Sequence, residues 1–274
     1  MVDKRTLGMA AGAAASLLAL PSAAQEAFVG PGPGIMPPSQ PDGDRSRAAI
    51  VQSLARGSTA EIEQNGRGQD AFVFQSGGRS SANIDFGSDN QNSAGNRAVV
   101  LQLGYRLSAS IEVDGSRNNG ARGLDARTGE TAGGRTLTVE PPRENQIQQV
   151  GFANTADVDV TGDNNAFKIT QTVGLSGGTR NEAAIEQRGD ENVAVQEQQG
   201  TDNRANLKQL GDGHTAKQVQ SGVGLESNIT QVNGPDGEPA FIVHRQTGVG
   251  EAAGGGVSDF EIVQVGGPPL AVTQ

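Results

Sequence analysis

The sequence predicts an all-β fold, a β-solenoid of stacked strand-turn-strand rungs. Three observations carry this: a spacing of eleven residues, fixed positions two apart, and a glycine closing each unit. The clearest block runs from Asn181 to Gly222. Set out in elevens, it aligns Asn181, Asn192, Asn203 and His214, then Ala183, Ala194, Ala205 and Ala216 two places on. Ile185, Gln196, Leu207 and Gln218 follow, then Gln187, Gln198, Gln209 and Gln220, and last Gly189, Gly200, Gly211 and Gly222. Two is the side-chain period of a β-strand, so these columns share one face. Glu182, Glu186, Arg188, Arg204 and Lys208 lie between them and belong in water. The closing glycines supply turns, where positive φ costs Gly little. One unit is therefore one strand plus one tight turn.

An earlier block obeys the same rule. Ser58, Gln69 and Ser80 recur every eleven, as do Ala60, Ala71 and Ala82, and Ile62, Val73 and Ile84. Gln64 and Gln75 continue the next column, and Phe86 takes the third place. Two displacements of sixteen, Ser80 to Asn96 and Asn165 to Asn181, put short insertions around Gly87–Gly95 and Gly174–Arg180, in turns, where a solenoid tolerates them. The domain layout follows. Residues 1–24 read as a signal peptide and 25–45 as a flexible Pro/Gly-rich leader that favours neither strand nor helix. Residues 46–120 form a first repeat block, 121–142 a loop, 143–233 a second block, and 234–274 degenerate terminal repeats. The total is about seventeen strands, or about eight rungs.

Composition narrows the function. The 274 residues include no cysteine, which excludes disulfides, thiolate metal sites and a cysteine nucleophile. A net charge of −10 argues against nucleic acid as a partner. Hydrophobic residues reach only 34% and aromatics 3%, too few for a conventional core, so order must come from stacking polar side chains. Lys4 and Arg5, the apolar run Leu7–Leu20 and the small residues Pro21–Ala24 predict export, with the mature chain starting at Gln25 and secreted. His214 and His244, the only histidines, fall at repeat positions with no second ligand or nucleophile spaced to join them. The Gly-Gly-x-Gly-x-Asp nonapeptide of calcium solenoids is missing, and Gly248-Val-Gly250 lacks the strand–helix setting of a nucleotide fingerprint. The reading is a non-enzyme with no cofactor, no metal and no small-molecule substrate.

A lone strand-turn-strand buries too little to offset about 1–2 kcal/mol of backbone entropy per residue, so the repeat has to stack. With two strands per rung, residue i lies over i+22, about 4.8 Å away. Glu182 then meets Arg204, and Glu186 meets Lys208, opposite charges in both cases. Inside, Asn181 with Asn203 and Gln187 with Gln209 are expected to form amide ladders.

The pattern Asn-x-Ala-x-Ile-x-Gln-x-Gly-x-x-Asn-x-Ala-x-Gln-x-Gln, from Asn181 to Gln198, resembles the curlin repeat of curli, the functional amyloid fibres of bacterial biofilms. The resemblance implies a structural subunit of extracellular fibres that support adhesion and biofilm matrix. It implies self-association as a homopolymer, a nucleating subunit and an outer-membrane secretion pore as partners, and a cell-surface location. The amyloid-core ladder would be Asn181, Ala183, Ile185, Gln187, Asn192, Ala194, Gln198, Asn203, Ala205, Leu207, Gln209 and Gln220, with turns at Gly189, Gly200, Gly211 and Gly222. His214 in the Asn column, Phe86 in the Gln column and the 121–142 loop depart from the pattern and leave main subunit, nucleator or relative open. A monomeric secreted β-solenoid adhesin is the alternative, with its ends capped by the strands after Gly234 and by Pro268-Pro269. A carbohydrate-active β-helix enzyme is a third reading; it would need clustered outward acids, and here acids alternate with bases.

Overall fold

The structure, a computed structural model, describes residues 14–19, 26–30, 46–64, 67–86, 95–120, 126–173, 180–249 and 259–273. Every regular element among them is a strand. In chain order they are β1 (Ala14–Ala19), β2 (Glu26–Gly30), β3 (Arg47–Arg56), β4 (Thr59–Gln64), β5 (Asp70–Gly78), β6 (Ser81–Ile84) and β7 (Arg97–Tyr105). There follow β8 (Ser108–Asp114), β9 (Arg127–Glu130), β10 (Thr136–Val139), β11 (Asn145–Phe152), β12 (Thr155–Thr161), β13 (Ala166–Thr172) and β14 (Glu182–Arg188). The last are β15 (Val193–Thr201), β16 (Arg204–Leu210), β17 (Thr215–Val223), β18 (Glu226–Val232), β19 (Phe241–Val249), β20 (Asp259–Val265) and β21 (Leu270–Thr273).

From β3 onward, with β9 and β10 set aside, successive strands alternate between two parallel sheets, ten-stranded (β2-β3-β5-β7-β11-β13-β15-β17-β19-β21) and nine-stranded (β1-β4-β6-β8-β12-β14-β16-β18-β20). Setting β1 and β2 aside as well leaves seventeen strands among the described residues, the number that the repeat count predicts. The sheets face each other across a core that is one aliphatic residue deep. Ile50, Val73, Val100, Ile147 and Ile169 come from one sheet, and Ile62, Ile84, Ile111, Val158, Ile185, Leu207 and Ile229 from the other. Small Ala residues flank them, so a chain poor in aromatics still closes its interior.

Register is set by the repeat. Ala183 pairs with Ala205, and Gln198 with Gln220, a step of 22. Where a turn carries five extra residues the step becomes 27, as between Ala82 and Ala109 or Ala156 and Ala183, and the columns still match. Most of the inserted residues themselves lie outside the described residues. A shift by one residue would turn every inward side chain outward, and so the columns hold register across insertions.

Three segments differ from the sequence reading. Residues 121–142, expected to be a loop, hold the antiparallel hairpin β9–β10, closed by the Gly134 N–H donating to the Thr131 carbonyl at 2.8 Å. Alternation of Leu137 and Val139 with threonines after Gly133-Gly134 is a hairpin signal; Pro141-Pro142 obscured it. In the leader, Glu26–Gly30 pairs parallel with Arg47–Val51, because Ala27-Phe28-Val29 is a strand-forming run that precedes the Pro/Gly stretch. The signal-peptide segment lies outside the described residues except for Ala14–Ala19, whose backbone pairs with Thr59–Gln64.

The closing glycines are needed for two separable reasons. Gly200 and Gly248 occupy the same column with φ of 113° and 137°. A Cβ on Gly200 would be driven into the Gly222 carbonyl of the next rung, whereas a Cβ on Gly248 would meet nothing within 4 Å. Gly200→Ala is therefore expected to destabilise the chain by about 1–3 kcal/mol more than Gly248→Ala. Equilibrium urea unfolding, at concentrations too low for assembly, measures the difference; equal losses would mean that backbone strain alone explains the glycines.

Candidate functional site

The candidate site is the interior itself, where like side chains stack rung on rung. All of Asn181, Ala183, Ile185, Gln187, Asn192, Ala194, Gln198, Asn203, Ala205, Leu207, Gln209 and Gln220 are buried. The strand period turns them to one face, and the 22-residue step sets each over its equivalent.

The ten-stranded sheet carries one continuous glutamine ladder. Gln52 Nε2 donates to Gln75 Oε1, and the relay passes through Gln102, Gln149, Gln171, Gln198 and Gln220 to Gln246, at 2.8–3.1 Å throughout. The second amide hydrogen is used as well. Gln75, Gln102, Gln149, Gln171, Gln198 and Gln220 each donate to a backbone carbonyl at the start of the facing sheet's strands, for example Gln198 to Glu182 O at 2.8 Å. Both hydrogens and the oxygen are thus satisfied without water, and a buried amide costs nothing further. Every bond points the same way, from the N-terminal rung to the C-terminal one.

A shorter ladder in the nine-stranded sheet joins Gln187, Gln209 and Gln231 at 2.8 Å. Below it the column turns apolar, with Phe86, Val113 and Val160 all buried. Gln196 and Gln218, in the aliphatic column of β15 and β17, form another pair at 3.0 Å.

The asparagines behave differently from the expected Asn–Asn ladder. Asn181 Oδ1 accepts the backbone N–H of Asn203 at 3.0 Å, and its Nδ2 donates to the Gly200 carbonyl at 3.1 Å. Asn192, Asn165 and Asn203 repeat this on their own turns. The short side chain at the strand entrance reaches turn backbone before it reaches another amide, so Asn bonds each turn to the next rung. His214 takes over the accepting half of the role: its Nδ1 accepts the Ala240 N–H of the next rung at 3.0 Å, while Nε2 lies 2.9 Å from the Leu210 carbonyl of its own turn. Burial pushes its pKa down, consistent with a neutral ring. His244 is also buried; its Nδ1 lies 2.9 Å from Ser227 Oγ, its ring stacks on Phe260 at 4.6 Å, and burial pushes its pKa down to about 4. Both histidines serve the stack. Among the described residues no group of His, Asp or Glu is arranged to hold a metal ion.

A turn ladder escaped the sequence reading. Asp163, Asp190, Asp212 and Asn233 each use a side-chain oxygen to accept the backbone N–H of the preceding rung's turn, at 2.6–3.0 Å. The shared place of Asp163, Asp190 and Asp212 after a closing glycine was the available sign; Asn233 follows Val232 instead.

Outside, the nine-stranded sheet presents charge columns. Glu182 pairs with Arg204 at 2.9 Å and Glu186 with Lys208 at 2.8 Å, as the 22-residue step predicts. Further down the same column the charges are alike: Asp85, Glu112, Asp159 and Glu186 occupy successive rungs. Burial first, then the carboxylates of Asp159, Asp85, Asp157 and Asp114, pushes the Glu112 pKa above the ordinary range. Burial and Glu186 do the same for Asp159, against Arg188 and Lys208.

These columns can be tested one at a time. Gln198→Leu strands the Gln171 amide hydrogen, the Gln220 oxygen and the Glu182 carbonyl, and is expected to cost about 2–4 kcal/mol in urea unfolding. Gln52→Leu, at the ladder's end, is expected to cost about 1 kcal/mol; equal costs would deny the ladder its role. Asp159 is charged at a site that raises its pKa, so its ionisation lowers stability at neutral pH. That loss fades as pH falls through the raised value toward 3.8. Asp159→Asn should thus stabilise the chain at pH 7 by under about 1 kcal/mol, since the group is mostly exposed, with the advantage gone by about pH 3. Urea midpoints at the two pH values read it, and an unchanged midpoint at pH 7 would contradict it.

The curlin-associated repeat model matches residues 146–172 and 178–211. No curated protein is similar enough to the chain to match it. The matched stretches run from β11 to the end of β16, and the same columns continue on either side of them from β3 to β19. Over residues 146–172 and 178–211 the chain is thus similar to curlin-associated repeats.

Proposed function

We propose that the chain is a structural subunit of extracellular, curli-like amyloid fibres that serve adhesion and biofilm matrix, and that copies add end to end along the solenoid axis. The observation that carries the reading is the one-way glutamine ladder from Gln52 to Gln246, built on parallel strands in register. A ladder that is already a seven-bond relay inside one chain gains from every rung added in the same direction. Curlin-associated repeats within the array support the same reading. Export of the mature chain from Gln25, passage through an outer-membrane pore and a separate nucleating subunit accompany it. The amyloid core would then be the buried Asn, Ala, Ile/Leu and Gln columns, with turns at Gly189, Gly200, Gly211 and Gly222. The chain works as a structural material rather than as an enzyme.

One observation favours the alternative, a monomeric secreted adhesin. β21 has only four residues and follows Pro268-Pro269, and short, proline-flanked edge strands discourage pairing. Against it, Val263 and Val265 on β20 are 62% and 58% exposed, apolar surface that a further copy would cover.

Purified residues 25–274 decide between the two. The fibre reading expects thioflavin-positive filaments with a meridional reflection at about 4.8 Å. A chain that stays monomeric for days without that reflection is the adhesin instead.

A further inference from the structure

The two sheets have different outer faces. The nine-stranded sheet shows water the charge columns described above. The ten-stranded sheet carries an apolar strip on its outer face, beside the Glu197–Lys217 ion pair: Ala166, Val193, Val195 and Phe241 are buried although they point away from the core, with Val243 and Ala271 half-buried beside them. What covers them is the hairpin. Leu137 and Val139, alternate residues of β10, pack into that cluster. The Arg127 guanidinium donates to the Glu191 and Gly213 carbonyls at 2.8 and 2.7 Å, which fixes the start of β9 on the turns leading into β15 and β17. Two residues on, Gly129 lies so close to Pro269 that a side chain would strike the proline ring. The hairpin therefore leaves the chain between β8 and β11 and runs forward along the axis, across strands from β13 to β21.

We propose that this hairpin is a built-in cover that keeps the apolar strip from β13 to β21, on the outer face of the ten-stranded sheet, from laminating against the same strip of a second copy. Identical pleated sheets with apolar faces interdigitate as dry interfaces, which is how cross-β filaments thicken. An uncovered apolar strip running from β13 to β21 would be such a face. With it covered, the strip from β13 to β21 is withdrawn from a second copy; the outer apolar cluster of β3, β5 and β7 (Ala49, Val51, Phe72 and Val99) is separate from the hairpin's. The inference rests on axial assembly, but lateral pairing can be read separately from it.

The register offers a clean deletion. Across the hairpin the step from Ala98 to Asn145 is 47, against 22 in the uninterrupted rungs. Asn118 already stacks on Asn96, whose Oδ1 accepts its N–H at 3.0 Å. Deleting residues 119–143 joins Asn118 to Glu144 and restores the 22-residue step. A second variant, Leu137→Asp with Val139→Asp, keeps every residue of the stack and loosens only the cover; it decides the matter if the deletion fails to fold. Electron microscopy of fibres measures width, and sedimentation of the soluble fraction measures pairing. Both variants are expected to polymerise as the parent does but into ribbons or bundles at least two filaments wide. Single filaments of parental width from the folded variants would overturn the proposal. If no chain forms fibres, axial assembly fails, yet dimers of the variants beside monomers of the parent would still support the cover, and monomers throughout would overturn it.

Discussion

Parallel, in-register stacking at a fixed step governs everything else in this molecule. Each side chain sits about 4.8 Å from its own equivalent on the next rung, so every inward residue has to be compatible with a copy of itself. That requirement selects a short alphabet. Aliphatic residues stack on aliphatic residues, alanine leaves room for the facing sheet, and the primary amide is both donor and acceptor toward its own kind. A buried carboxylate or ammonium would meet a like charge and be left without a counter-ion. The low apolar content of the chain is thus a consequence of the architecture rather than a deficit in its core.

The same constraint explains why Gln and Asn divide the work. Gln198 is long enough to reach the next amide along the axis and a carbonyl across the interior at once. Asn181, one carbon shorter and placed where strand meets turn, spends its oxygen on the next rung's backbone N–H and its amide hydrogens on the glycine carbonyl. A histidine can replace Asn there because one ring nitrogen accepts the next rung's backbone N–H while the other finds a carbonyl of its own turn, as His214 does with Ala240 and Leu210. It could not replace Gln198, whose place needs an acceptor and two donors on one group. The bonds that a column must make therefore govern which residues can enter it. Phe86, Val113 and Val160 share a stretch of the Gln column where the neighbours are apolar too.

Much of this was legible in the residues. Equal spacing specified the strands, the turns and the step of 22, and the opposite charges of Glu182 with Arg204 and Glu186 with Lys208 singled out that step independently of the glycines. Three features were not legible, each for a physical reason. The Asn bonds depend on where the strand ends, which a column of identical letters does not specify. The Asp163–Asp190–Asp212 turn ladder depends on backbone N–H groups pointing along the axis, a property of the glycine turn conformation. The hairpin lies outside the repeat, and its docking surface looked like ordinary outward positions. Val193 and Val195, where Glu182 and Ala184 stand in the other sheet, were the visible sign that alternate strands face different surroundings.

That asymmetry bears on how a repetitive chain limits its own contacts. A stack of parallel strands has two kinds of surface, its ends and its faces. Pairing at an end is worth a full set of backbone bonds plus an extension of every ladder, whereas pairing at a face is worth only the apolar area hidden. Without discrimination both would occur, and lateral contacts would thicken each filament as it lengthened. Charging one face sets repulsion and a desolvation cost against lamination there. The acidic column Asp85–Glu112–Asp159 carries that charge at some cost in stability, read in the raised pKa values of Glu112 and Asp159. Covering the other face with a segment of the same chain removes the apolar strip without interrupting the ladder, since the hairpin enters and leaves between rungs whose columns still align across it. Growth in the direction in which the glutamine amides already point is then favoured over thickening across this strip.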